Sequence, residues 1–237
     1  MKLTILQVGE SPAALRPDFG RYPTHFENMF KATGAGFAFE SIYVLDGAPM
    51  PDPADLEGVV ITGSAAGVYD SPPWMDPLRA FIRDAYGKKT PMLGVCFGHQ
   101  VMADALGGDV RKSEKGWGLG RQVYAVKTKP GFMNGIGTEV AIAASHQDQV
   151  IAPPPEAEVF LASEFTPNAG LIYRNDAAMS LQPHPEFDEA FARGLVELRR
   201  NNPLSDADVE KIDRSLDTPL DSAEVAKGLA RFFTDRG

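Results

Sequence analysis

The chain has 237 residues, 43% of them hydrophobic, enough for one large domain or two small ones around a real core. Its 23 Lys and Arg stand against 32 Asp and Glu, and the resulting net charge of −9 argues against a nucleic-acid binder, which needs a basic face to displace counterions. A single cysteine excludes an intrachain disulfide and a multi-cysteine zinc site. No apolar run approaches the roughly 18 residues that span a bilayer. A cytoplasmic protein without membrane contact is the expectation.

Met1 to Val8 reads as a first strand running into a loop at Gly9. Thr24-His25-Phe26-Glu27 has the form of a capping box, and Phe26, Met29 and Phe30 follow at helical spacing until Gly34. In that reading His25 lies on the helix surface. Phe37 to Val44 and Val59 to Thr62 read as strands. A second helix starts at Asp76-Pro77, buries Leu78, Phe81, Ile82 and Ala85 along one stripe, and stops at Gly87. Pro91 to Val95 is a further strand, and His99 to Leu106 a helix ended by Gly107-Gly108.

This alternation of strand and helix predicts an α/β protein with a mostly parallel sheet covered on both faces. From Asp109 to Gln182 the signal becomes strands and turns, expected to be late sheet strands plus a small antiparallel flap. Gly116-Trp117-Gly118-Leu119-Gly120 reads as a mobile loop over the pocket mouth. Three helices follow, at Asp188 to Arg200, Ser205 to Leu216 and Asp221 to Phe233, each opening on a capping residue. The expected organisation is one domain over 1–237 with a helical extension from about 188. Six basic residues between Arg111 and Lys129, set against Glu114 alone, read best as solvated strand faces; a rim attracting an acidic substrate or partner is the other reading.

The chemistry concentrates in Gly94-Val95-Cys96-Phe97-Gly98, a nucleophile-elbow pattern in which the only cysteine stands between a buried strand and a helix. A sulfur at a helix N-terminus has its thiolate form favoured by the backbone dipoles. The cysteine needs a base, and the base an orienting partner. Among four histidines, His184 in Gln182-Pro183-His184-Pro185-Glu186 fits best, because Glu186 projects to the same side of an extended segment. His99 is expected to turn away from the sulfur, and His146 could line a pocket. The N–H of Phe97 is the expected first oxyanion donor. The Gly-rich turn Thr62-Gly63-Ser64-Ala65-Ala66-Gly67 is the place for a second.

Taken in order, Gly94 to Gln100, Ser145-His146-Gln147-Asp148 and Pro183-His184-Pro185-Glu186 resemble the class I glutamine amidotransferase family over roughly Leu3 to Phe191. The resemblance implies a three-layer, flavodoxin-like α/β fold and a Cys96–His184–Glu186 triad with oxyanion donors from Gly63 and Phe97. It places Gln100 and the Ser145, His146 and Gln147 backbone around the substrate's α-amino and α-carboxyl groups, and Ser64 and Tyr69 along the pocket wall. It implies no cofactor and no metal. Where many synthase-linked members have Gly-Gly-Pro, this chain has Gly63-Ser64-Ala65-Ala66. With Tyr22-Pro23 and Pro73-Trp74, that form is more similar to the free-standing branch, which includes γ-glutamyl peptidases.

The implied activity is cleavage of a γ-glutamyl amide, glutamine to glutamate and ammonia, through a thioester on Cys96. A hydrolase of γ-glutamyl peptides or amines, and a silent binding protein on the same scaffold, stay open beside it. The partner expected in every case is a small γ-glutamyl compound. A separate synthase or acceptor chain and a second copy of this chain are the macromolecular partners left open.

Overall fold

The computed structural model describes residues 1–235. Its strands, in chain order, are β1 (Lys2–Gln7), β2 (Ala38–Tyr43), β3 (Gly58–Ile61), β4 (Met92–Val95), β5 (Asp109–Lys112), β6 (Gly118–Val126), β7 (Glu139–His146), β8 (Asp148–Ala152), β9 (Ala157–Ala162), β10 (Gly170–Tyr173) and β11 (Ala178–Leu181). The helices are α1 (Arg16–Phe19), α2 (Tyr22–Ala32), α3 (Met75–Lys88), α4 (Phe97–Ala105), α5 (Glu189–Glu197), α6 (Asp206–Ser215) and α7 (Ser222–Thr234). Nine strands form one sheet in the order β2-β1-β3-β4-β11-β10-β9-β6-β7, while β5 and β8 pair antiparallel as a separate arm. The block β2-β1-β3-β4-β11 is parallel throughout, and the strands beyond it pair antiparallel. The α/β, flavodoxin-like architecture with a small antiparallel flap is therefore present.

The parallel strands read as unbroken apolar runs because both of their faces are covered. Every residue of β3 and β4 is buried. Side-chain alternation divides the interior into two layers. Leu3, Ile5 and Val60 join Phe26, Met29 and Phe30 of α2 and Leu229, Phe232 and Phe233 of α7 on one face. Leu6, Val59 and Ile61 join Leu78, Phe81 and Ile82 of α3 and Val101 and Met102 of α4 on the other. No helix of the described residues is long and apolar enough to cross a membrane.

Several boundaries differ from the sequence reading, each for a local reason. α2 starts one turn earlier than Thr24, with Pro23 in its first turn and Arg21 as a cap without a side-chain bond. Glu27 pairs instead with Lys31 at 2.8 Å, as i,i+4 neighbours on a helix do. His25 is buried rather than on the surface, its ring 4.3 Å from Phe191 and 5.4 Å from Phe187, because α5 covers that face. α3 runs through Gly87 and is closed by Lys89 at φ 58°. Asp221 does not cap α7 through its side chain; the carboxylate accepts from the Ala141 N–H of β7 at 2.7 Å.

The expected loop at Gly116 to Gly120 is mostly strand. Gly118, Leu119 and Gly120 pair with His146, Ser145 and Ala144 of β7, and Gly120 takes φ 69° against α6. The glycines serve close approach here: a Cβ on Gly120 would lie 2.5 Å from the Ile212 side chain.

Candidate active site

Parallel pairing fixes the site before any side chain is considered. Ile61 pairs with Gly94, and Leu181 with Val95, so β3, β4 and β11 end side by side at the carboxyl edge of the sheet. The residues just past those ends are Gly63, Cys96 and His184, brought together across more than a hundred residues of chain; ligand sites of open parallel sheets lie at this edge. Two backbone bonds pin the arrangement: the Cys96 N–H donates to the Leu181 carbonyl and the His184 N–H to Ala143 of β7, both at 2.8 Å.

Cys96 is the N-cap of α4 and takes φ 55° and ψ −104°, a strained conformation for a residue with a side chain. The turn is tight enough that a Cβ on Gly98 would come within 2.3 Å of the Ile61 carbonyl oxygen, and one on Gly94 within 2.5 Å of the Gly98 oxygen. Both glycines are therefore steric requirements of the elbow. The Cys96 Sγ lies 3.9 Å from the Ser145 carbonyl oxygen, and Cys96 shares the cleft lining with His184.

His184 Nδ1 meets Glu186 Oε1 at 2.7 Å, and both side chains are buried. The imidazole stacks on Phe187 with ring centres 4.0 Å apart and planes 8° from parallel. Burial alone pulls the His184 pKa down, but the charges of Glu186 and Cys96 and hydrogen bonds to both outweigh it and raise the value from 6.5 to about 10. The other inward histidines go the opposite way. Burial lowers His146 to about 4 and His99 to about 3, and His99 Nδ1 is turned into the core at 2.8 Å from Ser180 Oγ.

A group whose pKa rises on folding adds stability below its unfolded value and loses it as pH climbs through the folded one. The melting temperature is thus expected to fall between pH 6.5 and about 10 as the His184 proton is lost. Glu186→Gln should flatten that decline, since the charge that holds the proton is gone. Calorimetry of both proteins across this range is the check.

A Cβ on Gly63 would sit 3.4 Å from His184 Cε1 and 3.8 Å from Cys96 Cβ, which places the Gly63 backbone against both. Among the described residues, the N–H groups of Gly63 and Phe97 have no protein acceptor. A cleft of about 440 Å³ opens over this point, and Gly63, Ser64, Tyr69, Cys96, Gln100, Ser145, His146, Gln147 and His184 all line it. Glu186 and the Phe97 side chain stand behind the lining, Phe97 edge-on to Trp74 at 5.9 Å. Gln100 Nε2 donates to the Asp148 carbonyl at 2.9 Å, so its amide braces the β7–β8 turn. Tyr69 is 58% exposed.

The structure adds lining residues that the sequence reading did not name as site residues, among them Glu10, Tyr22, Asp70, Lys112, Trp117 and Arg199. Trp117, just before β6, lines the cleft where the sequence reading sets the Gly116 to Gly120 stretch at the pocket mouth. Arg199 follows α5, and nothing local there signals a pocket, because only the packing of α5 on the antiparallel strands brings it to the site. Of the basic run, Arg111 and Lys115 are occupied at the surface, by Asp109 at 2.8 Å and by the Glu164 carbonyl, whereas Lys112 lines the cleft.

The glutamine amidotransferase class-I family profile matches residues 43–192, and the chain belongs to that family. It is 31% identical to γ-glutamyl peptidase 4 of Arabidopsis thaliana over 76% of this chain and 73% of that protein. It is 30% identical to a glutamine-hydrolysing GMP synthase of Aquifex aeolicus over 71% of this chain but only 34% of that longer protein. The fold matches a glutamine amidotransferase structure from Thermotoga maritima with a TM-score of 0.75 at 21% identity, covering 100% of this chain and 97% of the other.

Proposed function

We propose that this protein is a cysteine hydrolase of γ-glutamyl amides, with Cys96 as nucleophile, His184 as acid and base, and Glu186 as the carboxylate that orients His184. The observation that carries the reading is the single point where Cys96, the His184–Glu186 pair and the unpaired N–H groups of Gly63 and Phe97 converge.

In this reading the Cys96 thiolate attacks the γ-carbonyl carbon, forming a C–S bond and an oxyanion held by the Gly63 and Phe97 N–H groups. The intermediate collapses, the C–N bond breaks with its electron pair on nitrogen, and the leaving amine takes the His184 proton. Neutral His184 then takes a proton from water as hydroxide attacks the thioester. Glutamate leaves, and the thiolate and imidazolium are restored. With Glu186 fixing Nδ1, the other ring nitrogen serves the sulfur and the leaving amine.

Glutamine is the simplest substrate of this chemistry and gives ammonia. γ-Glutamyl peptides form the second reading. The relatives named γ-glutamyl peptidases favour it, and the cleft, which Tyr22, Trp117 and Arg199 also line, reaches beyond the triad.

Assay of the purified chain with glutamine and with a γ-glutamyl dipeptide, followed by acid quench and intact-mass analysis, tests both. Glutamate release together with a glutamyl adduct on the Cys96 peptide is the expected result. Release without an adduct, or an adduct on another residue, would overturn it. Glu186→Gln is expected to lower turnover roughly 10³-fold with little change in binding, because the imidazole loses its orienting charge. A KM rise at constant kcat would contradict that role.

A further inference from the structure

Arg199 is the cation of this cleft with the least explained position. It lies in the turn after α5, half-buried, with its guanidinium 4.3 Å from the centre of the Trp117 ring. Its Nη1 donates to the Leu195 carbonyl at 2.7 Å, which anchors the side chain at the helix end. Its sequence neighbours are paired: Arg193 with Asp213 and Asp217, Arg200 with Glu197 and Asp206. No carboxylate pairs with Arg199 among the described residues. Of the acidic groups of the cleft, Glu10 pairs with Arg16 at 3.5 Å and Asp70 accepts from the Gly67 N–H at 2.8 Å.

Its location is specific as well. His184 stacks on Phe187 and Phe187 stacks on Tyr22 at 6.2 Å, while Tyr22, Trp117 and Arg199 line the same cleft as Cys96 and His184. The aromatic series leads from the imidazole to Tyr22, which shares the cleft lining with the guanidinium. Lys112, the other lining cation, sits instead on the β5–β8 arm, opposite Asp148.

We propose that Arg199, held over the Trp117 ring, is a carboxylate-binding subsite for the leaving group, so that the favoured substrates are γ-glutamyl amino acids or peptides carrying a free carboxylate. The inference rests on the γ-glutamyl hydrolase reading above and extends it to the other side of the scissile bond. A stacked guanidinium with one N–H committed to the backbone still has a planar edge, the geometry that accepts a carboxylate through two parallel hydrogen bonds. Holding the carboxylate there would set the amine nitrogen against His184 before bond cleavage.

The test compares γ-glutamylglycine with γ-glutamylglycinamide, in which a neutral carboxamide replaces the terminal carboxylate. The ratio of their rates in the wild-type protein is read against the same ratio in the variants, so that the differing basicity of the two amines cancels. The wild-type protein is expected to prefer the carboxylate at least tenfold in kcat/KM, and Arg199→Met, which keeps the stem over Trp117, to bring the ratio near one. Arg199→Lys should restore part of it, since the charge returns without the fork. Equal hydrolysis of both compounds by the wild-type protein, or a preference unchanged in Arg199→Met, would overturn the subsite while leaving the hydrolase standing. Hydrolysis of neither compound, nor of glutamine, would overturn the hydrolase reading and the subsite with it.

Discussion

Cys96→Ala is expected to lower γ-glutamyl hydrolysis at least about 10⁴-fold while leaving the fold intact. Cys96 is the only cysteine of the chain, so no second thiol can take over its step. The structural cost should be small. The side chain faces the cleft, so its loss opens no sealed cavity, and alanine meets the same positive φ of 55° that cysteine already tolerates. Product assays paired with calorimetry separate the two effects. Retained activity, or a collapse in melting temperature, would refute the assignment in different ways: the first removes Cys96 from the chemistry, the second makes it structural.

Gly98→Ala is expected to be the most damaging single methyl in the molecule. Its Cβ would lie 2.3 Å from the Ile61 backbone oxygen and 3.0 Å from the Ile61 carbonyl carbon, where no flexible side chain can yield. Relief requires α4 to move off β3, and α4 carries Cys96 at its N-terminus while β3 leads into Gly63. Overpacking against backbone costs about 3 kcal/mol, which lowers the melting temperature by ~6–12 °C in a chain of this size. Activity should fall further than stability alone explains, because nucleophile and oxyanion donor are displaced relative to one another. Gly131→Ala is the control: a Cβ there meets nothing within 4 Å, so a change under about 0.5 kcal/mol is expected.

The parallel half of the fold was legible because its strands are covered on both faces and advertise that as short apolar runs between glycines. The elbow was legible for a related reason, since Gly94 and Gly98 satisfy a steric condition that leaves a fixed spacing around Cys96. His184 and Glu186 could be read as a pair from their i,i+2 spacing. Their meeting with Cys96 depended on β11 lying next to β4, which periodicity does not reveal. The antiparallel half was read less well. Gly118 and Gly120 resemble loop residues but enter β6 because Phe165, His146 and Ile212 leave no room for side chains there. His25 was misplaced because the aromatic residues that bury it come from the α5 region, far along the chain. Arg199 was missed for the same reason: its partner Trp117 and its neighbour Tyr22 are assembled only by tertiary packing.

The central claim is that His184, cationic beside Glu186, maintains the nucleophile at Cys96. The most direct measurement is the rate of Cys96 alkylation by iodoacetamide at about pH 6 in the wild-type protein and in His184→Ala. The account predicts ready alkylation of the wild-type protein, blocked by a saturating glutamine analogue, and at least ~10-fold slower reaction once the imidazole is gone. Equal rates in the two proteins would contradict it.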